Sequence, residues 1–575
     1  MSNVATKEQS ASIYKPGLFS FLIATPSFVA IALFQMFRLW EAMPTVLQDE
    51  YVYSTGTKYG GAEEAARFGN FLYFAIYRNT QLCGPEFYSC ARYLNAFWFV
   101  VFLGVLYAFA IRYLSKTLSW LIVSAIGLGP IALYASLYMP EMMYFAFAGL
   151  GLVLYVAFLE QQDRKNSIWI LVASLSVLAL GAMVKPHAAF VAIGVVAHLG
   201  LKMILSLRDE WRTESKNLVI AIISFLATKL AVGFILAGQA GLTIFGRSYT
   251  GALTDFLGDL FGQTGEQTGS PAEGAVTEVA AESESLFSVL DVFFIHFLLV
   301  LVSVLILMGP TLAFMVLRKD FLKLDSATAV IVQLFVMGLI VSFFTAHISA
   351  NGDDHSDRVL FRYFEFLVPF LLIIGIHFAS ISAFRGWKRY VAVLAPLLGA
   401  ILVFTGIDDR RWIIADGAHL FSLFEPVDSV WIWVAVIVFS TYILVNELSW
   451  RKTGVVAAFS IGLIGIGQLG INEQLNTNGF KIASDYAGLY VYENLADIPG
   501  EEILVLGSDR KLVEASMFAI DKPGVDFDLY QPESLIPSEL VDQKYSVVVQ
   551  TLGVYLLEPP ENTFYGDGFA ISIFD

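Results

Sequence analysis

Long uncharged apolar runs, repeated along most of the chain, are the feature that most limits what it can fold into. The first, GLFSFLIATPSFVAIALFQMF, covers residues 17–37 without a single charge. A helix rises about 1.5 Å per residue, so about 20 such residues cross a hydrocarbon core of about 30 Å. Over 575 residues the chain is 57% hydrophobic and 15% charged, with a mean hydropathy of +0.67. Soluble domains carry roughly a quarter charged residues, and a greasy soluble bundle would not explain uncharged stretches of this length. The expectation is a polytopic α-helical membrane protein with about thirteen transmembrane helices. They are expected near 17–39, 93–114, 118–138, 141–159, 168–184, 188–206, 217–237, 287–317, 326–346, 361–384, 390–406, 429–448 and 453–471. The span from 287 is overlong, and it tilts or breaks near Met308–Pro310. The first run is too long for a signal-peptide core and lacks a small-residue cleavage site, so it reads as a retained helix.

Lys and Arg in the short links set the orientation. Lys7 and Lys15, Arg112 and Lys116, Arg164 and Lys165, and Arg208, Arg212 and Lys216 fall on one side. Arg318, Lys319 and Lys323, then Arg385, Lys388 and Arg389, then Arg451 and Lys452 fall on the same side. That side is expected to be cytoplasmic, together with the N-terminus, which leaves the C-terminus outside. The net charge of −16 is spread unevenly and forms no basic stripe, so nucleic acid is not an expected partner. No N-x-[ST] sequon occurs, which points to a bacterial inner (plasma) membrane rather than an ER lumen.

The expected division is a transmembrane unit over 1–471 and an extracytoplasmic α/β domain over 472–575. Outer loops are expected near 40–92, 238–286 and 347–360. In the tail, EEILVLGSD and KYSVVVQTLG read as buried strands, RKLVEASMFAI as a helix and GFAISIF as a last strand. The stretch GGAEEAARFGNFLYFAIYRN is amphipathic and suits the membrane surface. GQTGEQTGSPAEGAVTEVAAESES, in the 238–286 loop, has no apolar face. The only cysteines, Cys83 and Cys90, lie outside and suit a disulfide.

Four outer features carry candidate chemistry. Asp49 and Glu50 stand together in the first long loop, where a carboxylate can act as a general base; a solvated acidic pair is the plain alternative. Glu141 follows Pro140 at the mouth of the fourth span, a costly place for a carboxylate unless it faces a polar cavity or simply answers the helix dipole. Lys185, Pro186 and His187 form a short outer link whose cations run against the usual sidedness and suit an anion such as a phosphate, or a snorkelling lysine. In HISANGDDHSDRVLFRYFEF, His347, His355, Arg358, Arg362 and Tyr363 gather, and arginine suits phosphate through paired charge-assisted hydrogen bonds. Asp353, Asp354, His355 and Asp357 offer oxygen and imidazole donors, but their spacing fits no metal motif; no cofactor is called for, and a divalent metal is a minor alternative. Lys229 lies inside the seventh span, either snorkelling or near a lipid phosphate.

The order of these motifs resembles the C-type membrane glycosyltransferases (GT-C), the superfamily that includes protein O-mannosyltransferases and the aminoarabinose transferase of lipid A. The resemblance covers roughly the first 380 residues in organisation, and no diagnostic motif of one subfamily is matched. It implies transfer of a sugar from a polyprenyl-phosphate donor to a hydroxyl on a glycan, lipid or protein, on the outer face of the membrane, with inversion by single displacement. It also implies Asp49 as the base, and Glu50 or Glu141 as a partner that positions the acceptor or shares that role. Lys185, His187, Arg358 and Arg362 would neutralise the leaving phosphate, with Tyr363 and His355 beside them. Two other readings stay open: a polysaccharide polymerase or ligase, and a transporter or flippase of lipid-linked sugars. A transporter would place its ionisable groups nearer the bilayer midplane.

Overall fold

The computed structural model describes residues 18–39, 47–161, 164–205, 208–247, 290, 292–298, 325–350, 360–363, 365–381, scattered positions from 390 to 472, and 482–574 apart from 542 and 552. Its membrane part is helical: α1 (Leu18–Arg38), α2 (Leu47–Tyr59), α3 (Gly61–Phe68), α4 (Phe71–Tyr77), α5 (Phe87–Tyr113), α6 (Lys116–Gly127) and α7 (Glu141–Glu160). It continues with α8 (Arg164–Ala182), α9 (His187–Leu205), α10 (Arg208–Ala237), α11 (Ser326–Ala350) and α12 (Leu367–Ile381). Among the described residues, five helices are long and apolar enough to cross a membrane: Phe87–Tyr113, Glu141–Glu160, His187–Leu205, Glu210–Leu242 and Ser326–Ala346. Shorter apolar helices cover Leu22–Arg38, Lys116–Gly127, Ser167–Ala182 and Leu367–His377. The expected spans at 287–317, 390–406 and 429–448 lie wholly or largely outside the described residues, whereas most of 453–471 is described and is helical.

Two stretches differ from the sequence reading. The helix expected over 118–138 stops at Gly127 and gives way to a 3-10 turn over Pro130–Ala135. Pro130 has no N–H to continue the ladder. The amphipathic stretch after Tyr59 splits at Gly69, whose φ of 75° is left-handed and whose missing Cβ leaves room for the Gly246 backbone. Its second half, α4, is not laid on the membrane surface. Phe71, Tyr73, Phe74 and Tyr77 are all buried in the helical core. Cys83, in the 3-10 stretch that leads into α5, forms a disulfide with Cys90 in the first turn of α5.

The starts of α5, α7, α9 and α12 gather at one end of the bundle. The other end is tied by Arg112 to Glu160 at 2.6 Å, Tyr113 to Ser326 at 2.9 Å and Lys202 to Glu214 at 3.3 Å.

The tail forms an α/β unit with two helices, α13 (Ala483–Asn494) and α14 (Arg510–Ile520). Its strands are β1 (Ile503–Gly507), β2 (Asp526–Leu529), β3 (Ser534–Ile536), β4 (Val547–Thr551), β5 (Val554–Leu556), β6 (Thr563–Gly566) and β7 (Phe569–Ile573). The main sheet runs β2-β1-β4-β7-β6. β1 is parallel to β2 and β4, while β7 is antiparallel to β4 and β6. β1 and β4 are buried at every position, as continuous apolar runs require of a strand covered on both faces. Val491, Val513 and Met517 of the helices cover one face; β3 and β5 pair in parallel and help cover the other with Ile536 and Leu556. The unit docks on the bundle end where α5 begins: Phe518 of α14 lies 5.8 Å from Phe87 and 5.3 Å from Tyr88, ring to ring.

Candidate active site

The site is built on a stretch of backbone that is not helical. Residues 136–140 lead into Glu141, and their polar groups must be satisfied away from water. The Ser136 carbonyl accepts from the Tyr88 hydroxyl at 2.9 Å and from Arg92 Nε at 3.2 Å. The Leu137 carbonyl accepts from Asn95 at 2.6 Å, and the Tyr138 N–H donates to Glu50 Oε1 at 2.7 Å. Tyr138 itself is held by hydroxyl contacts to Thr57 at 3.1 Å and Thr80 at 2.6 Å. Five side chains from α2 and α5, with Thr80 between them, therefore fix the entry to α7.

Glu141 stands at the first position of α7, and the helix dipole favours it there. It is fully buried and forms an ion pair with Lys185. Its second neighbour is Arg362, whose Nε lies 3.9 Å away. Arg362 Nη2 reaches Asp49 Oδ2 at 3.1 Å and donates to the Tyr363 hydroxyl at 3.2 Å. Lys185 Nζ lies 4.8 Å from the Tyr363 ring centre, and the His187 ring stacks on that ring at 3.8 Å. Tyr144 fixes the backbone there by donating to the Tyr363 carbonyl at 2.6 Å. The Lys185 link is in turn tied to α4 by the Leu72 N–H, which donates to the Met183 carbonyl at 2.8 Å.

Asp49, Glu141, Lys185, His187, Arg362 and Tyr363 thus meet although they come from four separate stretches of sequence. Glu50 turns away from them. It is 0% exposed, and it anchors Tyr138. Asp49 is the open group of the set: its side chain is 40% exposed, against 8% for Arg362, 4% for Lys185 and 1% for Glu141. Two cations and two carboxylates balance in charge. Within the set, Lys185 and Arg362 each have a counter-ion, as burial of charge demands. His355 and Arg358, with Asp353, Asp354 and Asp357, lie outside the described residues. Among the described residues, no cluster of three or more His, Cys, Asp or Glu could hold a metal ion. Lys229 is buried on α10 with its ammonium 5.1 Å from the Phe71 ring centre, apart from this cluster.

Sequence reasoning did not single out Tyr144, Tyr138, Arg92 or Glu365. Glu365 is fully buried and accepts from Tyr134 and from the Ala418 N–H at 3.2 Å. A lone acid inside the apolar RYFEFLVPF was a signal for it. Tyr144 and Tyr138 carried none, because tyrosines are common throughout the chain.

No family model and no curated protein matches the chain. Among solved structures, the fold is similar to ArnT from Cupriavidus metallidurans bound to undecaprenyl phosphate, at 13% identity and a TM-score of 0.46, over 97% of this chain and 98% of that one. It is also similar to the archaeal oligosaccharyltransferase AglB from Archaeoglobus fulgidus in complex with an inhibitory peptide and a dolichol-phosphate, at 11% identity and a TM-score of 0.44, over 93% of this chain and 70% of that one. Against the apo form of the Archaeoglobus fulgidus oligosaccharyltransferase, at 12% identity and a TM-score of 0.44, 88% of this chain covers 64% of that one. Likeness at this level leaves the chemistry to be read from the residues themselves.

Proposed function

We propose that the chain is a membrane glycosyltransferase that moves a sugar from a polyprenyl-phosphate donor to a hydroxyl acceptor. One observation carries the reading: a half-exposed carboxylate, Asp49, stands at the rim of a buried, cation-bearing cluster at one end of an apolar bundle. An acceptor hydroxyl gives its proton to Asp49 as its oxygen bonds to the anomeric carbon. The bond from that carbon to the phosphate oxygen breaks, and the phosphate keeps the electron pair. Lys185 and Arg362 meet the charge that grows there, with Tyr363 and His187 packed around them; cations already in place need no reorganisation as the charge develops. Single displacement of this kind inverts the anomeric centre. His355 and Arg358 belong to the same proposal as further phosphate ligands.

The burial of Glu50 supports Asp49 as the base of the acidic pair, because a base must reach its proton within about 3 Å and Glu50 is committed to Tyr138. Glu141 is read as the counter-ion that Lys185 and Arg362 share between donors. The proposed setting is the outer face of a bacterial inner membrane, with the N-terminus cytoplasmic, a catalytic unit over 1–471 and an outer domain over 472–575. Purified Asp49→Asn is expected to keep its fold and lose sugar transfer by about two to four orders of magnitude, the usual contribution of a positioned base. Wild-type turnover in that variant would remove Asp49 from the mechanism.

A further inference from the structure

The α/β tail touches the bundle through one buried contact of unusual chemistry. Asp521 follows the last turn of α14 with φ 52° and ψ 41°, a left-handed conformation that few side chains other than Asn and Asp adopt readily. Its carboxylate enters α2. Ser54 donates to Oδ1 at 2.8 Å, and Lys58 pairs with Oδ2. Both partners of that ion pair are buried, and the Lys58 ammonium lies 3.5 Å from the Phe87 ring centre. The next residue adds a bond to the same helix, because the Tyr51 hydroxyl donates to the Lys522 carbonyl at 2.8 Å.

This turn is rigid on its own side too. The Lys522 ammonium donates to the Leu495 and Ile498 carbonyls, so the turn is pinned to the end of α13. Tyr51, Ser54 and Lys58 lie three or four residues apart and so share one face of α2. Asp49 and Glu50 sit in the first turn of that helix. A second route leads to the same place: Phe518 packs against Tyr88, whose hydroxyl lies 3.4 Å from Glu50 Oε1.

We propose that the C-terminal domain is a positioning element for the site: the Asp521–Lys522 turn grips one face of α2 and thereby sets where Asp49 stands against Arg362. Asp521 and Lys58 are positioning residues, since neither touches the cluster around Glu141. The placement of α2 holds whatever reaction occurs at its first turn; the catalytic consequence rests on the transferase reading above.

Hydrogen exchange on the full chain in detergent tests it, comparing wild type with Asp521→Ala, Asp521→Asn and Lys58→Met. Amides of 47–59 are expected to exchange about tenfold faster or more in Asp521→Ala and Lys58→Met, while those of 167–200 stay unchanged, as local release without global unfolding requires. Asp521→Asn is expected to fall between wild type and Asp521→Ala, because asparagine keeps the left-handed turn and the bond from Ser54 but not the counter-ion of Lys58. Unchanged exchange over 47–59 in folded Asp521→Ala overturns the proposal. Should Asp521→Ala fail to fold, Lys58→Met decides in the same way, since it leaves the tail sequence intact. In a sugar-transfer assay, Asp521→Ala and Lys58→Met are expected to lower kcat with the donor KM unchanged. A wild type that transfers no sugar, yet shows these exchange differences, would sink the transferase reading and leave the positioning role standing.

Discussion

At the scale of single residues, the site is governed by how buried charges are paired. Glu141 is the counter-ion for Lys185 and a neighbour of Arg362. Glu141→Gln is expected to cost about 3–5 kcal/mol, the usual penalty for leaving a buried charge uncompensated, and to tighten the binding of inorganic phosphate. Thermal melting with phosphate titration checks both, and a variant with unaltered stability and phosphate affinity would rule the counter-ion role out. Lys58 offers a pH test. Burial pushes its ammonium down from 10.5 to about 8, against the pull of Asp521, and the same burial pushes the Asp521 carboxyl up. The unfolded chain therefore holds the Lys58 proton more tightly than the folded one. Stability should rise as pH climbs from about 8 to 10.5. The same rise is expected to be missing from Lys58→Met, and equal melting profiles would count against it. Asp49, Glu141, Lys185 and Arg362 were legible because a charge beside an apolar run is conspicuous. Lys58 and Asp521 were not: each sits in a polar stretch where a charge is ordinary, and only folding buries them together.

Helix α2 is the element on which both halves of the molecule meet. It has too few apolar residues to cross a membrane, yet it is held by Tyr138, Arg362 and the tail's turn. Its polar face is therefore structural rather than solvated, which is why a reading by hydropathy placed it in a loop. The burial that moves Lys58 and Asp521 in opposite directions says that charge separation is disfavoured in that interface. Lys58→Met combined with Asp521→Leu is expected to be neutral or stabilising by about 1–4 kcal/mol, whereas Lys58→Met alone should cost about 3–5 kcal/mol. Chemical denaturation of the three proteins measures this, and a double variant as weak as the single one would mean that the pair itself stabilises. The strands of the tail were readable because β1 and β4 are buried on both faces and so carry unbroken apolar runs. The shortened α6 was missed: the Gly-x-Gly-Pro at 127–130 marks its end, but the apolar flanks hid that signal in a window long enough to find a membrane span.

At the scale of the whole molecule, one end of the bundle holds the candidate site and the α/β tail, and the other holds the Arg112–Glu160 and Lys202–Glu214 pairs. Cysteines placed singly at exposed Tyr565 and at Lys116, in a background where Cys83 and Cys90 are replaced by alanine, should report opposite sides of the membrane. An impermeant thiol reagent on intact cells is expected to label the position at 565 and not the one at 116; labelling of both or neither contradicts the proposed orientation. The ion pair between Lys58 and Asp521 spans a separation of 463 residues. That distance gives the protein a timetable. Helix α2 leaves the ribosome early, and its partner emerges only after hundreds of further residues have been translated and threaded across the lipid; at about 5–20 residues per second this takes on the order of half a minute or more. During that interval the half-built chain lacks the turn that contacts Tyr51, Ser54 and Lys58 of α2. Under the proposed positioning role, a prematurely terminated product never gains that grip, so truncation ahead of residue 521 and loss of the seating of α2 go together.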